Sequence, residues 1–163
     1  MANYYGNTRT NYFRVRDEKA FKEVMESIVA YEDSVEYWEK EIDGETYYAF
    51  GAHDSIAGVC ECAHCNSCKG CENEELESNE ECTQCECEGE YNYEAMTKAL
   101  QKVVHPEDAI IIVESGYEKL RYITGESTVI TAEDVEYINI WGESISKARG
   151  MLDNKDYDTE CSY

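Results

Sequence analysis

The stretch that decides the fold is Ala109-Ile110-Ile111-Ile112-Val113, the longest apolar run in the chain. A short continuous run of this kind, ending at Gly116, is typical of a central strand that is covered on both faces. The run is far too short to cross a bilayer, which takes about 20 apolar residues in a helix. We therefore expect a sheet built around this strand.

Helix and hairpin patterns flank the central strand on both sides. Asp17 and Asn92 are each followed by apolar residues at helical spacing, so each is expected to cap a helix. Asp43-Gly44 and Gly125-Glu126 are turn pairs between β-prone segments, so each predicts a hairpin. The predicted elements are, in chain order, a strand at 12–15, a helix from 17, hairpin strands at 35–41 and 45–50, a helix from 92 that stops at Pro106, the strand at 109–113, hairpin strands at 120–123 and 127–130, a strand at 135–140 and a helix at 142–152.

These elements predict a single α+β domain with a mainly antiparallel sheet and helices packed on one face, plus a cysteine-rich metal-binding insertion. Ile145, Ala148 and Leu152 are expected to face inward from the last helix. The chain divides into a first half at 1–59 (strand, helix, hairpin), a cysteine-rich acidic insertion at 60–90, a second half at 91–152 and a polar tail at 153–163.

The formal net charge of the chain is -22, and Glu far outnumbers Asp. This charge argues against direct binding to DNA, RNA or an anionic membrane, because those surfaces are polyanionic and select clustered Lys and Arg. Basic proteins or metal cations fit better as partners, and simple solubility or a halophilic source is the alternative reading of the charge. The amino terminus has neither a basic nor an apolar leader region, so we expect a cytoplasmic protein.

Eight of the nine cysteines lie between residues 60 and 87, at steps of a few residues. In a chain with no sign of export, this density points to metal–thiolate chemistry rather than to a disulfide framework. A Cys-x-x-Cys step presents two sulfurs to one tetrahedral zinc ion, so eight thiolates suit two zinc ions. The expected ligands are Cys60, Cys62, Cys65, Cys68, Cys71, Cys82, Cys85 and Cys87.

The pairing of these ligands stays open, because the Cys-x-x-Cys steps overlap. His64 could replace a thiolate in either site. One division places Cys62, Cys65, Cys82 and Cys85 in the first site and Cys60, Cys68, Cys71 and Cys87 in the second.

An iron–sulfur cluster is a less favoured alternative, and free or disulfide-linked thiols are another. The steps from Cys62 through Cys65 to Cys68 resemble those of bacterial ferredoxins, but Cys71 comes one residue early and is not followed by Pro. Residues 60–90 have few large apolar side chains, so we expect metal to hold this segment together rather than to catalyse a reaction.

No constellation of residues supports catalysis, and we expect a protein that is not an enzyme. His53-Asp54-Ser55 has the residue types of a hydrolytic triad, but sequence neighbours rarely converge as triads do. The chain has no phosphate-binding loop, no dinucleotide-binding glycine pattern and no zinc-protease motif. The aromatic residues of the first hairpin are expected on both faces of a sheet, one face in the core and the other suited to a contact surface.

Three stretches carry a resemblance to a known group of proteins. They are Asn3-Tyr4-Tyr5-Gly6-Asn7-Thr8-Arg9-Thr10-Asn11-Tyr12-Phe13-Arg14-Val15, Glu118-Lys119-Leu120-Arg121-Tyr122-Ile123 and Cys161-Ser162-Tyr163. They are similar to small acidic proteins of plasmids, phages and conjugative elements in gut Firmicutes. That group includes anti-CRISPR and antirestriction proteins, many of which are acidic and occupy nucleic-acid grooves. The resemblance carries over no individual binding residue.

Charge and resemblance together predict a non-enzymatic anti-defence protein of a mobile genetic element. Such a protein acts as a DNA mimic, placing carboxylates in the basic groove of a CRISPR effector or a restriction enzyme. The alternatives are a zinc-stapled protein–protein adaptor and an iron–sulfur or thiol redox protein. The candidate contacts are Glu36, Glu39, Glu41, Glu45, Glu72, Glu74, Glu75, Glu77, Glu80 and Glu81.

The metal prediction has a direct test. We expect protein purified without oxygen to contain about two zinc ions per chain and no iron, because eight thiolates complete two tetrahedral sites. Elemental analysis and the visible spectrum check this, since zinc thiolate is colourless and an iron–sulfur cluster absorbs visible light. Iron together with visible absorbance would favour an iron–sulfur cluster over zinc. Metal-free protein would contradict both predictions.

Overall fold

The computed structural model describes residues 5–31, 34–60, 91–118 and 122–157. Within them lie two antiparallel sheets and three helices. The elements are β1 (Tyr5–Thr10), α1 (Glu18–Ser27), β2 (Ile28–Ala30), β3 (Glu36–Ile42), β4 (Glu45–Ala52), β5 (Ile56–Cys60), β6 (Tyr91–Asn92), α2 (Tyr93–Val103), β7 (Ile110–Glu118), β8 (Tyr122–Ile130), β9 (Val135–Asn139) and α3 (Ile140–Leu152).

The main sheet has the strand order β3-β4-β1-β7-β8-β9, and β2-β5-β6 form a smaller sheet. Every strand pair in the described residues is antiparallel. The sheet centre is the pairing of β1 with β7, which runs from Tyr5 opposite Tyr117 to Thr10 opposite Ile112. The predicted α+β class, with a single domain and a mainly antiparallel sheet, is confirmed.

The inner face of the main sheet holds the core. Alternate residues of a strand point to opposite faces, so Ile110 and Ile112 of β7 are buried together with Ile130 of β8. Phe21 of α1 and Leu100 of α2 pack against this face and have no exposed surface. Burying one such side chain stabilises the fold by roughly 1.5 to 3 kcal/mol, so this face anchors both helices.

The two predicted helix caps are confirmed. The Asp17 carboxylate accepts hydrogen bonds from the backbone N–H groups of Lys19 and Ala20, at 2.9 and 3.2 Å. The Asn92 side-chain oxygen accepts one from the N–H of Ala95 at 2.8 Å. Each cap supplies acceptors to N–H groups that have no partner inside the helix, which fixes where α1 and α2 begin.

The predicted hairpin turn at Gly125-Glu126 is wrong, because β8 continues through both residues. Gly125 faces the outer side of the main sheet, where a Cβ atom would overlap the side chain of Ile140. Glycine at this position therefore gives room to the Ile140 side chain of α3 and does not mark a turn.

The prediction that the last helix faces the core is also wrong. α3 has no buried residue: Ile145 and Ala148 are half-buried, and Leu152 is exposed rather than facing a core. The indole N–H of Trp141 donates to the backbone oxygen of Ile123 at 2.9 Å, and Ile140 lies against Gly125 on the outer face. α1 and α2 thus share one face, as predicted, whereas α3 begins on the other.

The central strand is covered on one face only by the residues that the structure describes. Ile110 and Ile112 point inward and are buried, but Ile111 and Val113 are 37% and 48% exposed on the outer face. The prediction that the apolar run is covered on both faces is therefore wrong for the described part of the chain.

Arg14 joins three segments that are distant in sequence. Its guanidinium forms two hydrogen bonds with the Asp108 carboxylate, at 2.7 and 3.1 Å, and one with Glu45 at 3.0 Å. The backbone N–H of Arg14 also donates to Asp108, at 2.7 Å. The hydrogen bonds and positive charge of Arg14 hold the pKa of Asp108 below its usual range. This pair fixes the chain before α1 to the loop before β7.

We expect Asp108→Asn to lower the melting temperature at neutral pH by about 3 to 6 °C, because it removes a charge-assisted bidentate pair. The pKa of Asp108 is lower in the folded state, so its contribution is present above the unfolded pKa and is lost as pH falls through the folded pKa. The difference between wild type and variant should therefore shrink in acid. Calorimetry at several pH values measures it.

Glu107→Gln is the matched control, because Glu107 lies 3.5 Å from the same guanidinium and is 74% exposed. We expect it to change the melting temperature little. A difference between Asp108→Asn and wild type that stayed constant into acid would contradict the pairing as the cause.

Candidate partner-binding site

The segment 61–90 is attached to the described structure at two neighbouring strands. It connects β5 to β6, in which Cys60 is paired with Tyr91 and Val59 with Asn92. Directly opposite residues of an antiparallel pair have Cα atoms about 4.5 to 5.5 Å apart. We call these four residues the insertion root. The segment before Cys60 and the segment after Tyr91 are thus joined by hydrogen-bonded strands, whatever lies between them.

Close packing of backbone and aromatic rings holds the insertion root. Gly58 has a φ angle of +118°, and a Cβ atom there would lie 2.6 Å from the backbone of Asn92. Only glycine fits this approach of β5 to the start of α2. The rings of Tyr31 and Tyr91 meet edge to face, with centroids 6.1 Å apart. The root is therefore built into the small sheet.

Most of the predicted metal ligands and six of the predicted contacts lie outside the described residues. Cys60 is the last residue of β5, and its backbone is part of the insertion root. Within the residues that the structure describes, no group of three or more His, Cys, Asp or Glu residues is placed to hold a metal ion. The following lie in the segment 61–90: Cys62, Cys65, Cys68, Cys71, Cys82, Cys85, Cys87, Glu72, Glu74, Glu75, Glu77, Glu80 and Glu81.

The four predicted contacts on the first hairpin do not form one array. Glu39 bonds to Lys22 at 3.2 Å and Glu45 to Arg14 at 3.0 Å, so both are engaged within the chain. Glu36 and Glu41 are exposed, but they stand on opposite faces of β3 because side chains alternate along a strand. The hairpin therefore offers two separate carboxylates rather than a row of four.

A cleft of about 350 Å³ lies beside the insertion root, between the inner face of the main sheet and the small sheet. Tyr31, whose ring packs on Tyr91 of the root, forms one wall. The polar and aromatic residues that line the cleft are Tyr31, Ser55, Tyr93, Glu114, Glu126 and Tyr137.

Two carboxylates face each other in this cleft, because Glu114 of β7 is directly opposite Glu126 of β8. The Ser55 hydroxyl donates a short hydrogen bond to Glu114, and the side-chain N–H of Asn139 donates to Glu126 at 3.3 Å. Like charges directly opposite each other destabilise a strand pair. A cation held between them would relieve that cost, so the cleft suits a basic side chain.

A tyrosine adds a neutral hydroxyl group to the cleft. The Tyr93 hydroxyl lies 3.0 Å from the Thr128 hydroxyl, and burial raises the pKa of Tyr93 above its usual range. The group therefore stays protonated at neutral pH. Tyrosine rings beside carboxylates favour guanidinium and ammonium groups through their π faces.

The residues of the apparent triad are held apart. Ser55 bonds to Glu114 in the cleft, whereas the ring of His53 lies 3.4 Å from the side-chain oxygen of Asn7. The Asp54 carboxylate accepts from the backbone N–H of Ser55 at 2.7 Å. His53-Asp54-Ser55 consequently does not form a hydrolytic triad in this fold.

Comparison of the chain with models of protein families, with curated proteins and with solved structures gave no match. Among the described residues, none of the helices has the length and apolar character needed to span a membrane. The resemblance to acidic mobile-element proteins thus stays a hypothesis.

The insertion root predicts that residues 61–90 can be removed without unfolding the frame. Joining Cys60 to Tyr91 through Asn-Gly would make β5 and β6 a two-residue hairpin, since these residues are already register partners. We expect a cooperative thermal transition within about 5 °C of wild type, because a shorter loop has a smaller entropic cost of closure. Circular dichroism and calorimetry measure this.

Gly58→Ala in the full chain is the contrasting variant, because its Cβ atom would overlap the backbone of Asn92. We expect it to lower the melting temperature more than the excision does. Loss of cooperative unfolding on excision would show instead that residues 61–90 are part of the folded core.

Proposed function

We propose that the protein is a non-enzymatic acidic binding protein that occupies the basic groove of a nucleic-acid-binding defence enzyme. The observation that carries the proposal is the insertion root. Through it, one hairpin presents a segment with ten Glu and one Lys at 60–90, which is -9 of the net charge of -22. Such a concentration of charge on one attachment point suits a groove that normally holds a polyanion.

Carboxylates would take the place of phosphates in this complex. Double-stranded DNA carries about one negative charge per 1.7 Å of its axis, and grooves that bind it line up Lys and Arg to match. A dense run of Glu offers such grooves a similar density of charge. Two tetrathiolate zinc sites would each add about -2, so metal binding would keep the segment negative. The cysteines would then supply shape and the glutamates would supply affinity.

The cleft beside the root supports the same proposal. Glu114, Glu126 and the ring of Tyr93 line a space that a single Arg or Lys side chain fits. Because Tyr31 contacts both the cleft and Tyr91, a target bound by the segment would meet the cleft next. The cleft would therefore receive one basic side chain from the rim of the groove.

Targets of this kind belong to the defences of bacterial cells, in agreement with the resemblance to anti-CRISPR and antirestriction proteins of mobile elements. The protein would act in the cytoplasm, where those enzymes meet invading DNA. The other hypothesis is a zinc-stapled adaptor that docks by shape, and the response to salt separates the two because shape recognition needs little Coulomb attraction.

We expect the full chain to inhibit DNA cleavage by a CRISPR effector or a restriction enzyme from the same class of host. Inhibition should weaken at least about tenfold between about 50 and about 300 mM NaCl, since screening reduces attraction between opposite charges. Cleavage assays on a panel of purified enzymes measure this. The variant without residues 61–90 should lose inhibition, and Glu114→Gln with Glu126→Gln should weaken it.

Glu133→Gln with Glu136→Gln is the matched control for the cleft variant, because it also removes two exposed carboxylates, neither of which lines the cleft. We expect it to inhibit as wild type does. The proposal fails if the chain neither inhibits nor retains any nucleic-acid-binding enzyme at low salt. If inhibition does not depend on salt but is lost in the double variant Cys62→Ser with Cys65→Ser, the result would favour the zinc-stapled adaptor instead.

A further inference from the structure

The cleft beside the insertion root runs from an exposed rim to a buried floor. Tyr31 and Tyr137 at the rim are 65% and 58% exposed, whereas Ile56, Ile112 and Thr128 at the floor are buried. A charged group that reaches the floor therefore gives up much of its water, and the lining residues must replace it. This requirement restricts the chemistry of the ligand.

The cleft carries two negative charges with no cation beside them. No Lys, Arg or His is among the described residues that line it. Ser55 donates a hydrogen bond to Oε1 of Glu114, and Asn139 donates one to Oε1 of Glu126. The Oε2 atom of each carboxylate has no hydrogen-bond partner among the described residues. Two acceptor oxygens from neighbouring strands are thus left for a ligand.

Tyrosine rings form walls of the cleft. The ring centroids of Tyr93 and Tyr137 are 6.3 Å apart. The Tyr93 hydroxyl lies 3.0 Å from the Thr128 hydroxyl, and the Tyr137 hydroxyl lies 3.4 Å from the Thr97 hydroxyl. Both hydroxyl groups are therefore engaged within the chain. What the rings offer a ligand is their π surface, which attracts cations.

Another part of this protein shows which cation such a set of groups holds. The Arg14 guanidinium bonds the carboxylates of Asp108 and Glu45, at 2.7 and 3.0 Å, and lies over the ring of Tyr47, 5.8 Å from its centroid. Two carboxylates from different segments and one tyrosine ring therefore hold a guanidinium in this chain. The cleft has the same combination of groups, but no arginine from the described part of the chain.

We propose that the cleft is a site for arginine that discriminates against lysine. The inference rests on the proposed function in one respect, since that function makes the bound residue a side chain of the target. Binding of the guanidinium group itself needs only the cleft. The target is therefore expected to carry an arginine, and not a lysine, at the rim of its groove.

The shape and the hydration of the two cations decide the preference. A planar guanidinium donates from two edges, so it can bond Oε2 of Glu114 and Oε2 of Glu126 while its face lies on a tyrosine ring. The lysine ammonium is a compact, strongly hydrated charge. Beside the side chains of Ile56 and Ile112 it would lose water that these apolar groups cannot replace. Guanidinium loses less, because it is weakly hydrated.

Two small cations test the preference on the full chain, in reducing buffer at constant ionic strength. N-propylguanidinium is the arginine side chain without its backbone, and n-butylammonium is the lysine side chain. We expect N-propylguanidinium to bind one saturable site and n-butylammonium to bind it at least about fivefold more weakly. Titrations followed by two-dimensional NMR measure both affinities, and the shifts should centre on Glu114, Tyr93 and Thr128.

Glu114→Gln with Glu126→Gln should weaken binding of N-propylguanidinium at least about tenfold, because it removes both charges while keeping the shape of the side chains. The matched control is Glu133→Gln with Glu136→Gln, which lowers the negative charge of the chain equally but outside the cleft. We expect the control to bind as wild type does. Circular dichroism checks that each variant is folded.

Tyr137→Leu is a second test if the cleft variant does not fold, because Tyr137 lies at the exposed rim. It should weaken binding of N-propylguanidinium more than binding of n-butylammonium, since the flat guanidinium stacks on the ring.

Three results would each overturn the arginine site. They are the absence of saturable binding, equal affinity for the two cations, and a control variant that weakens binding as much as the cleft variant does. Failure of the groove proposal gives a different result. If N-propylguanidinium binds selectively but the chain inhibits no nucleic-acid-binding enzyme, the arginine site stands and the proposed function fails. Inhibition that weakens with salt, without selectivity in the cleft, has the opposite meaning.

Discussion

The ion pair between Arg14 and Asp108 is the interaction on which the arrangement of the chain depends. With 14 Lys and Arg residues against 36 Asp and Glu, the protein has few cations with which to offset its own repulsion. Arg14 lies where one guanidinium can bond Asp108 and Glu45, and so connects the chain before α1 with the first hairpin and with the loop before β7. Lys22 acts similarly, bonding Glu18 within α1 and Glu39 on β3, and these bonds raise its pKa well above the usual range. Cations thus stand where elements meet, and most of the negative charge is left to face solvent.

Local signals in the sequence predicted local structure well. Asp17 and Asn92 cap their helices as expected, and Asp43-Gly44 turns the first hairpin with φ angles of 53° and 83°. These features depend on a few neighbouring residues, so pattern and propensity are enough to find them. Gly125 shows where such reasoning stops. It lies in the middle of β8, under the side chain of Ile140, which comes close only through the packing of α3, and no local pattern contains that information.

The cleft could not be predicted from the sequence for a related reason. Ser55, Glu114 and Glu126 come from three strands or loops, and only the register of β7 with β8 and the stacking of the small sheet bring them together. For the first-hairpin glutamates the error is the reverse, because residues that are close in sequence were expected to form one array. Side chains alternate along β3, so these glutamates lie on two faces. The metal ligands remain predictions from spacing alone. The apolar run at 109–113 correctly predicted a central strand. The described residues do not cover the outward side chains of this run, Ile111 and Val113.

The central position of β1 has a consequence for how the protein is made. The neighbour of β1 in the main sheet, β7, follows it by about 100 residues, so during synthesis one side of β1 must wait for its partner. At synthesis rates of about 5 to 20 residues per second, residues 61–90 alone extend that wait by about 2 to 6 seconds. During this time a strand with unpaired hydrogen-bonding groups on one side is exposed to other nascent chains. The large negative charge of the chain repels those neighbours, so the composition that suits a groove would also keep the unfinished protein from aggregating.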